Sequence, residues 1–297
     1  MDAKLIKGVI VPLFMPINGE EEIREEALRR QVGYVIDGGV SGILLFGCEG
    51  EAYALEPEEQ EKALEIVLDG AGGRIPVYAA VGTAATRRCI KEAQAAYARG
   101  VQGIFLCQPM GITPGEGELF SHYQAVAASV PDLPVLISHN SKAGCGIRPE
   151  MAIRLAKETG NLAGISDSSG DIGRLCEYIR LAKDIEFSVL VGEDAVIMPG
   201  LAAGASGCVA ATANILPNFV CDIYRRYMAG DLEGARKAQY RLTPVKNAMD
   251  LAGVPGGVKD VANLLGMEAG MPCLPYQSSS GEVLGRMRRI LEEEGII

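Results

Sequence analysis

The sequence predicts a (β/α)8 TIM barrel with a C-terminal helical extension, on three observations. Short apolar runs alternate with longer amphipathic segments along the chain, which is the βα alternation of a parallel sheet. The runs are apolar without interruption, as in Ile43-Leu44-Leu45-Phe46, so each strand is expected to be buried on both faces. Glycines recur where a helix should end and the next strand begin, as in Gly38-Gly39-Val40-Ser41-Gly42, Arg99-Gly100-Val101-Gln102-Gly103 and Gly204-Ala205-Ser206-Gly207. They suit helix C-caps and tight turns.

Eight strands are expected, at Gly8–Phe14, Gly42–Gly47, Ile75–Gly82, Gly103–Cys107, Pro134–His139, Leu162–Asp167, Phe187–Gly192 and Gly207–Ala211. The intervening segments carry apolar residues at helical spacing, such as Ile90, Ala93 and Tyr97, or Phe219, Ile223 and Tyr227. Two of them open on helix-start signals, Glu56-Pro57-Glu58 and Arg148-Pro149-Glu150. A doubly wound open sheet is the competing architecture, but it places a Gly-x-Gly-x-x-Gly turn after its first strand, and none follows Phe14. Beyond the eighth strand, from Leu216 to Ile297, helices with short breaks are expected, including Asp231–Leu242, Val245–Leu251, Val258–Leu265 and Gly281–Glu294. The organisation expected is a barrel core over 1–215, then a last barrel helix and C-terminal helices packed on it over 216–297.

The 297 residues carry 28 Lys and Arg against 38 Asp and Glu, a net charge of −10. Such a chain lacks the positive field that nucleic acid or an anionic membrane surface requires, so neither is expected as a partner. No apolar run approaches the ~20 residues of a membrane span, and no signal peptide is read at the N-terminus. The eight cysteines include no Cys-x-x-Cys pair, which predicts reduced thiols in a cytoplasmic protein. With only His122 and His139, a histidine-built zinc site is not expected; neither a metal nor a cofactor is anticipated.

In a barrel of this kind, reacting groups sit at the C-terminal ends of the strands. Those ends carry Cys48-Glu49-Gly50-Glu51, Gln108-Pro109-Met110, Ser138-His139-Asn140-Ser141-Lys142, Ser166-Asp167-Ser168-Ser169-Gly170, Glu193-Asp194 and Thr212-Ala213-Asn214. Three of these segments, Gly47-x-x-Gly50-Glu51, Gly164-Ile165-x-Asp167-Ser168-Ser169-Gly170-Asp171 and Gly192-Glu193-Asp194, carry a resemblance. With them the chain resembles the dihydrodipicolinate synthase / N-acetylneuraminate lyase family from Gly8 to the C-terminus. Pro255-Gly256-Gly257-Val258-Lys259 and Gly270-Met271-Pro272-Cys273 look most like its 4-hydroxy-2-oxoglutarate aldolase branch. The resemblance implies a lyase of aldolase or hydratase type, a small-molecule ligand such as a 2-oxo acid, and a homo-oligomer, commonly a homotetramer built from dimers.

It also implies a lysine at the end of strand six that forms an imine with a 2-oxo acid, making bonds at the adjacent carbon reactive. The matching position here is Ser166, whose hydroxyl cannot form one. Where the family has small hydroxyl residues that bind the substrate carboxylate, this chain has Cys48 and Glu49. Two carboxylates ~4 Å apart at an effective dielectric near ~20 repel by roughly 4 kcal/mol. The family's relay tyrosine falls on Ile137 or Ser138, and its second tyrosine near Met110 or Gly111; none is a phenol.

Glu49, His139 and Ser166 are the candidate catalytic residues. Glu49 is either a general base or amine-binding group at the mouth, or the partner of a nearby lysine such as Lys142. His139 is expected to face the mouth, with an unperturbed pKa suited to proton transfer; the alternative is loop hydrogen bonding. Ser166 is a nucleophile or, lacking a histidine–carboxylate pair beside it, a structural or ligand-binding hydroxyl. Lys142 is a relocated imine-forming amine or an exposed, carboxylate-binding lysine. Candidate ligand-binding residues are Cys48, Ser138, Lys142, Ser168, Glu193 and Val209. Two further function classes stand beside an enzyme without a strand-six imine: a non-catalytic metabolite-binding or regulatory homologue, and a 2-oxo acid aldolase working through Lys142.

Overall fold

A computed structural model describes residues 6–140 and 146–297. Its strands are β1 (Gly8–Pro12), β2 (Gly42–Leu45), β3 (Val77–Val81), β4 (Gly103–Cys107), β5 (Val135–His139), β6 (Leu162–Asp167), β7 (Ser188–Val191) and β8 (Gly207–Val209). They follow one another in sequence order as a closed barrel, with parallel pairing wherever a register is defined. The (β/α)8 barrel is therefore the fold.

The barrel helices are α1 (Glu25–Asp37), α2 (Pro57–Ala71), α3 (Thr86–Ala98), α4 (Glu116–Ala128), α5 (Pro149–Glu158), α6 (Ile172–Leu181), α7 (Ile197–Ala203) and α8 (Pro217–Met228). The starts follow local chemistry. Glu56 and Glu59 form a capping box at α2, where Pro57 takes the first turn, and the Asp171 side chain accepts from the Arg174 N–H at α6. Most strands are shorter than the apolar runs, because ladder hydrogen bonds end before apolarity does. Phe14, beyond β1, is fully buried yet gives its N–H to the Asn214 side chain at 3.1 Å.

By internal contacts the chain divides into two compact units. One comprises residues 1–8 and 78–209, carrying β3 to β8. The other comprises residues 9–77 and 210–297, with most of β1, β2, α8 and the C-terminal helices α9 (Leu232–Asp250), α10 (Gly256–Leu264) and α11 (Gly281–Glu293). In the second unit Phe14 packs with Val245, Met249, Val258, Val261 and Met287 in one apolar cluster. The break expected between Leu242 and Val245 does not occur: α9 runs through Pro244 as a single helix. Leu242 and Val245 on either side are fully buried, and that burial offsets the ~3 kcal/mol an internal proline costs. On α8 the buried residues are Pro217, Val220, Cys221 and Ile223; of the expected Phe219, Ile223 and Tyr227, Ile223 is buried and the other two are half-buried.

Candidate functional site

Strand alternation fixes which side chains enter the barrel. Asp167 of β6 faces Arg174 of α6, with Nε to Oδ2 at 3.5 Å, so Asp167 looks outward to the helices and Ser166 inward. The register carries this parity across: Ser138 pairs with Ser166, and Cys107 with Ser138, so all three point inward. Tyr78 and Phe105, two residues nearer the bottom of β3 and β4, meet edge-on inside the barrel at 5.6 Å between ring centroids. At the inward positions Ala80, Cys107, Ser138 and Val209 are half-buried, whereas most neighbouring strand residues are buried. They mark where the barrel interior opens. Ser166 is 3% exposed, and among the described residues neither its hydroxyl nor that of Ser138 has a hydrogen-bond partner.

The outward positions in the same rows are Gln108, His139 and Asp167, each buried. His139 Nε2 lies 4.0 Å from Asp167 Oδ1, which also accepts from the Ser169 N–H at 2.9 Å. Arg174 adds hydrogen bonds to Tyr178 Oη at 3.1 Å and to the Ile147 carbonyl, which Tyr178 also reaches at 2.8 Å. The expectation that His139 faces the mouth is not met. It is one residue out of phase with Ser138, and a strand turns successive side chains to opposite faces. Burial holds its pKa below 6.5; Asp167 opposes that shift and Arg174 adds to it. Among the described residues His139 Nδ1, Gln108 Nε2, Asp167 Oδ2 and Arg174 Nε form no hydrogen bonds.

Around this wall, Ser168 gives its N–H to the His139 carbonyl at 3.0 Å, and a side chain at Gly192 would collide with its hydroxyl. Glu193 is half-buried and accepts from the Ala195 N–H at 3.4 Å, starting a short 3-10 turn over Asp194–Val196. Asp194 is buried. Lys142, with Ser141 and Cys145, lies outside the described residues.

The loop after β2 belongs to the other unit and is tightly wound. Phe46 and Glu51 adopt left-handed backbone conformations with φ of 64° and 51°. Gly50 packs so closely that a Cβ there would sit 3.0 Å from the Phe46 nitrogen and 3.2 Å from the Leu13 carbonyl. Glu49 folds back over the strand end, its Oε2 lying 3.3 Å from where a Gly47 Cβ would be. Cys48 is exposed at residue level, but desolvation, joined by the Glu49 charge, pushes its thiol up to about 11. It is a thiol rather than a thiolate at neutral pH.

Glu51 anchors this loop from beneath. Its carboxylate pairs with Lys259 of α10, accepts from the Cys273 N–H at 2.6 Å and from Tyr53 Oη at 3.2 Å, while Lys259 Nζ gives a further bond to the Met271 carbonyl at 2.8 Å. The sequence reading met Lys259 only as part of a family-like segment. The available signal was a lone cation in the apolar helical stripe of Val258, Val261 and Ala262, which demands a buried counter-charge. Asn214 is likewise structural: fully buried, it donates to the Pro12 and Ala211 carbonyls at 2.7 and 3.0 Å. Among the described residues no group of three or more His, Cys, Asp or Glu side chains is placed to hold a metal ion, and no helix is long and apolar enough to cross a membrane.

Comparisons with known proteins agree with this architecture. The chain is 31% identical over 293 residues to the 4-hydroxy-tetrahydrodipicolinate synthase of Methanopyrus kandleri, covering 98% of this chain and 97% of that one. It is 33% identical over 288 residues to the enzyme of that name from Methanothrix thermoacetophila, covering 97% and 96%. Among solved structures, a dihydrodipicolinate synthase from Thermotoga maritima superposes with a TM-score of 0.95 at 27% identity, over 99% of this chain and 100% of that chain. One from Aquifex aeolicus does so with 0.93 at 30% identity, over 98% of each. These likenesses support a lyase-type, aldolase-like function. Residues 5–294 match the Dihydrodipicolinate synthetase family along nearly the whole chain, and the protein belongs to that family.

Proposed function

We propose that this protein is a divergent barrel lyase acting on a small polar metabolite without an imine-forming lysine on strand six. The observation that carries the reading is Ser166, an inward-facing, buried hydroxyl at the position where the family resemblance puts the amine. Without an amine there, covalent capture of a ketone as an imine has no nucleophile at that position. Ser138, Ser166 and Ser168 are the ligand-orienting hydroxyls of this reading, and Glu49 is its proton-transfer group. His139 acts through Asp167 and Arg174 rather than on the ligand. The segments Pro255–Lys259 and Gly270–Cys273 are what favour the 4-hydroxy-2-oxoglutarate aldolase branch.

Borohydride reduction in the presence of pyruvate, followed by peptide mass mapping, tests this. The expected result is no lysine adduct, while Glu49→Gln abolishes whatever turnover a metabolite screen finds. An adduct on any lysine, Lys142 included, together with aldol turnover would overturn it. Tight metabolite binding with no turnover for any ligand is the signature of the second reading, a binding or regulatory homologue on the same scaffold.

A further inference from the structure

We propose that protonation of His139 releases Arg174 from the layer between the sheet and α6, so that in acid the chain entering α5 loses one of the two side-chain hydrogen bonds on its Ile147 carbonyl.

An imidazole, a carboxylate and a guanidinium stand in a row in this layer. His139 of β5 and Asp167 of β6 are paired in register, with Nε2 4.0 Å from Oδ1, and Arg174 of α6 approaches the other carboxylate oxygen at 3.5 Å. Among the described residues, Asp167 and Arg174 are the charged groups that act on His139. The neighbouring elements add little charge. From β4 comes uncharged Gln108, whose Oε1 accepts from the Asn140 N–H at 2.7 Å. The Tyr178 hydroxyl comes from α6, and Glu150 of α5 acts on Tyr178. Gly146 packs on both members of the row: a Cβ there would sit 3.5 Å from His139 Cε1 and 3.9 Å from Arg174 Nη2.

With His139 neutral, Asp167 and Arg174 balance each other. A proton on the imidazole sets two cations beside one carboxylate in surroundings that screen charge poorly. Exposure decides which cation leaves. The side chains of His139 and Asp167 are 2% and 1% exposed, whereas that of Arg174 is 25% exposed and has a path to water. Arg174 also stands in the first turn of α6, where the helix dipole disfavours a cation, so the attraction of Asp167 is what retains it. Its departure removes its hydrogen bonds to the Ile147 carbonyl and to Tyr178 Oη, and Tyr178 alone then holds that carbonyl, at 2.8 Å. Burial keeps the imidazole neutral at pH 7, which confines the released form to acid.

Nitrogen-15 NMR of the arginine side chains of the full-length protein, between about pH 8 and about pH 5, tests the proposal. A guanidinium fixed by hydrogen bonds rotates slowly about Nε–Cζ and gives separate Nη signals, whereas a released one gives a single averaged signal. The Arg174 signals should be separate at neutral pH and should merge with the same midpoint as the His139 imidazole. In His139→Gln they should stay separate throughout. Should that variant fail to fold, the native protein carries the same comparison, with His122 as the reference imidazole that must not set the midpoint. Signals already averaged at neutral pH, signals that stay separate while His139 titrates, merging that follows His122, or merging unchanged in His139→Gln would each overturn the proposal. Unfolding of the whole protein before Arg174 moves would overturn it as well, because the release would then not be local.

Discussion

Lys259 and Glu51 form an ion pair in which neither side chain has any solvent exposure. Glu51 stands in the loop after β2 and Lys259 in α10, so the pair ties the segment bearing Cys48 and Glu49 to the C-terminal helices of the same unit. Both ions are further satisfied, by the Cys273 N–H and Tyr53 hydroxyl on one side and the Met271 carbonyl on the other. Pairs of this kind stabilise only while both partners are present, because a lone buried ion has lost its hydration without compensation.

Lys259→Met should therefore destabilise the protein by about 3–5 kcal/mol, and Glu51→Gln should be comparably severe. The double variant should recover much of the loss, which urea denaturation of all four proteins will show as a coupling free energy. Additive losses would show that the pair is not a unit. Desolvation holds the Lys259 amine below its ordinary 10.5 against the pull of Glu51. The unfolded chain then binds the extra proton just under that pH, so this group's contribution to stability rises with pH there.

Both histidines are held below 6.5 in the fold, each chiefly by burial. The unfolded chain takes up protons first as the pH falls from 6.5, so their contribution is present above 6.5 and is lost on acidification through the lower folded values. Thermal melts between about pH 7 and pH 5 should fall in the native protein and flatten in His122→Gln/His139→Gln, a range above the ordinary carboxylate pKa values of roughly 4. An unchanged slope in the double variant would count against buried neutral imidazoles.

Installing an amine at position 166 is the most direct test of the proposed function. Ser166→Lys should give a borohydride-trapped pyruvate adduct at position 166 that the native protein lacks, read by peptide mass mapping. The inward orientation and open strand ends leave the new amine a route to the ligand. An adduct-free variant with a native melting curve would show that the barrel interior no longer admits a 2-oxo acid.

Cys48 should alkylate slowly although the residue is exposed. Its thiol, raised from 9.0 to about 11, carries a thiolate fraction at neutral pH lower by about two orders of magnitude. Iodoacetamide kinetics by peptide mapping should place it well behind an unperturbed thiol, and Glu49→Gln should speed it by removing one of the two causes. Reactivity indifferent to Glu49→Gln would assign the shift to desolvation alone.

Much of this protein is legible in the chain itself. Uninterrupted apolar runs and helix-ending glycines specify a barrel because burial on both faces and left-handed caps are local requirements. The absence of an amine at position 166 is likewise a matter of residue identity. The break between Leu242 and Val245 is absent, since the local cost of Pro244 is outweighed by the burial of Leu242 and by that of Val245 in a cluster built from distant segments. The direction in which His139 points was settled only by strand register, where a single step exchanges the interior for the helix layer. Lys259 acquired its meaning only when folding brought it to Glu51. A pair formed across such a length of chain leaves no periodic trace, because its energy comes from shared exclusion of water rather than from either residue's neighbours in sequence.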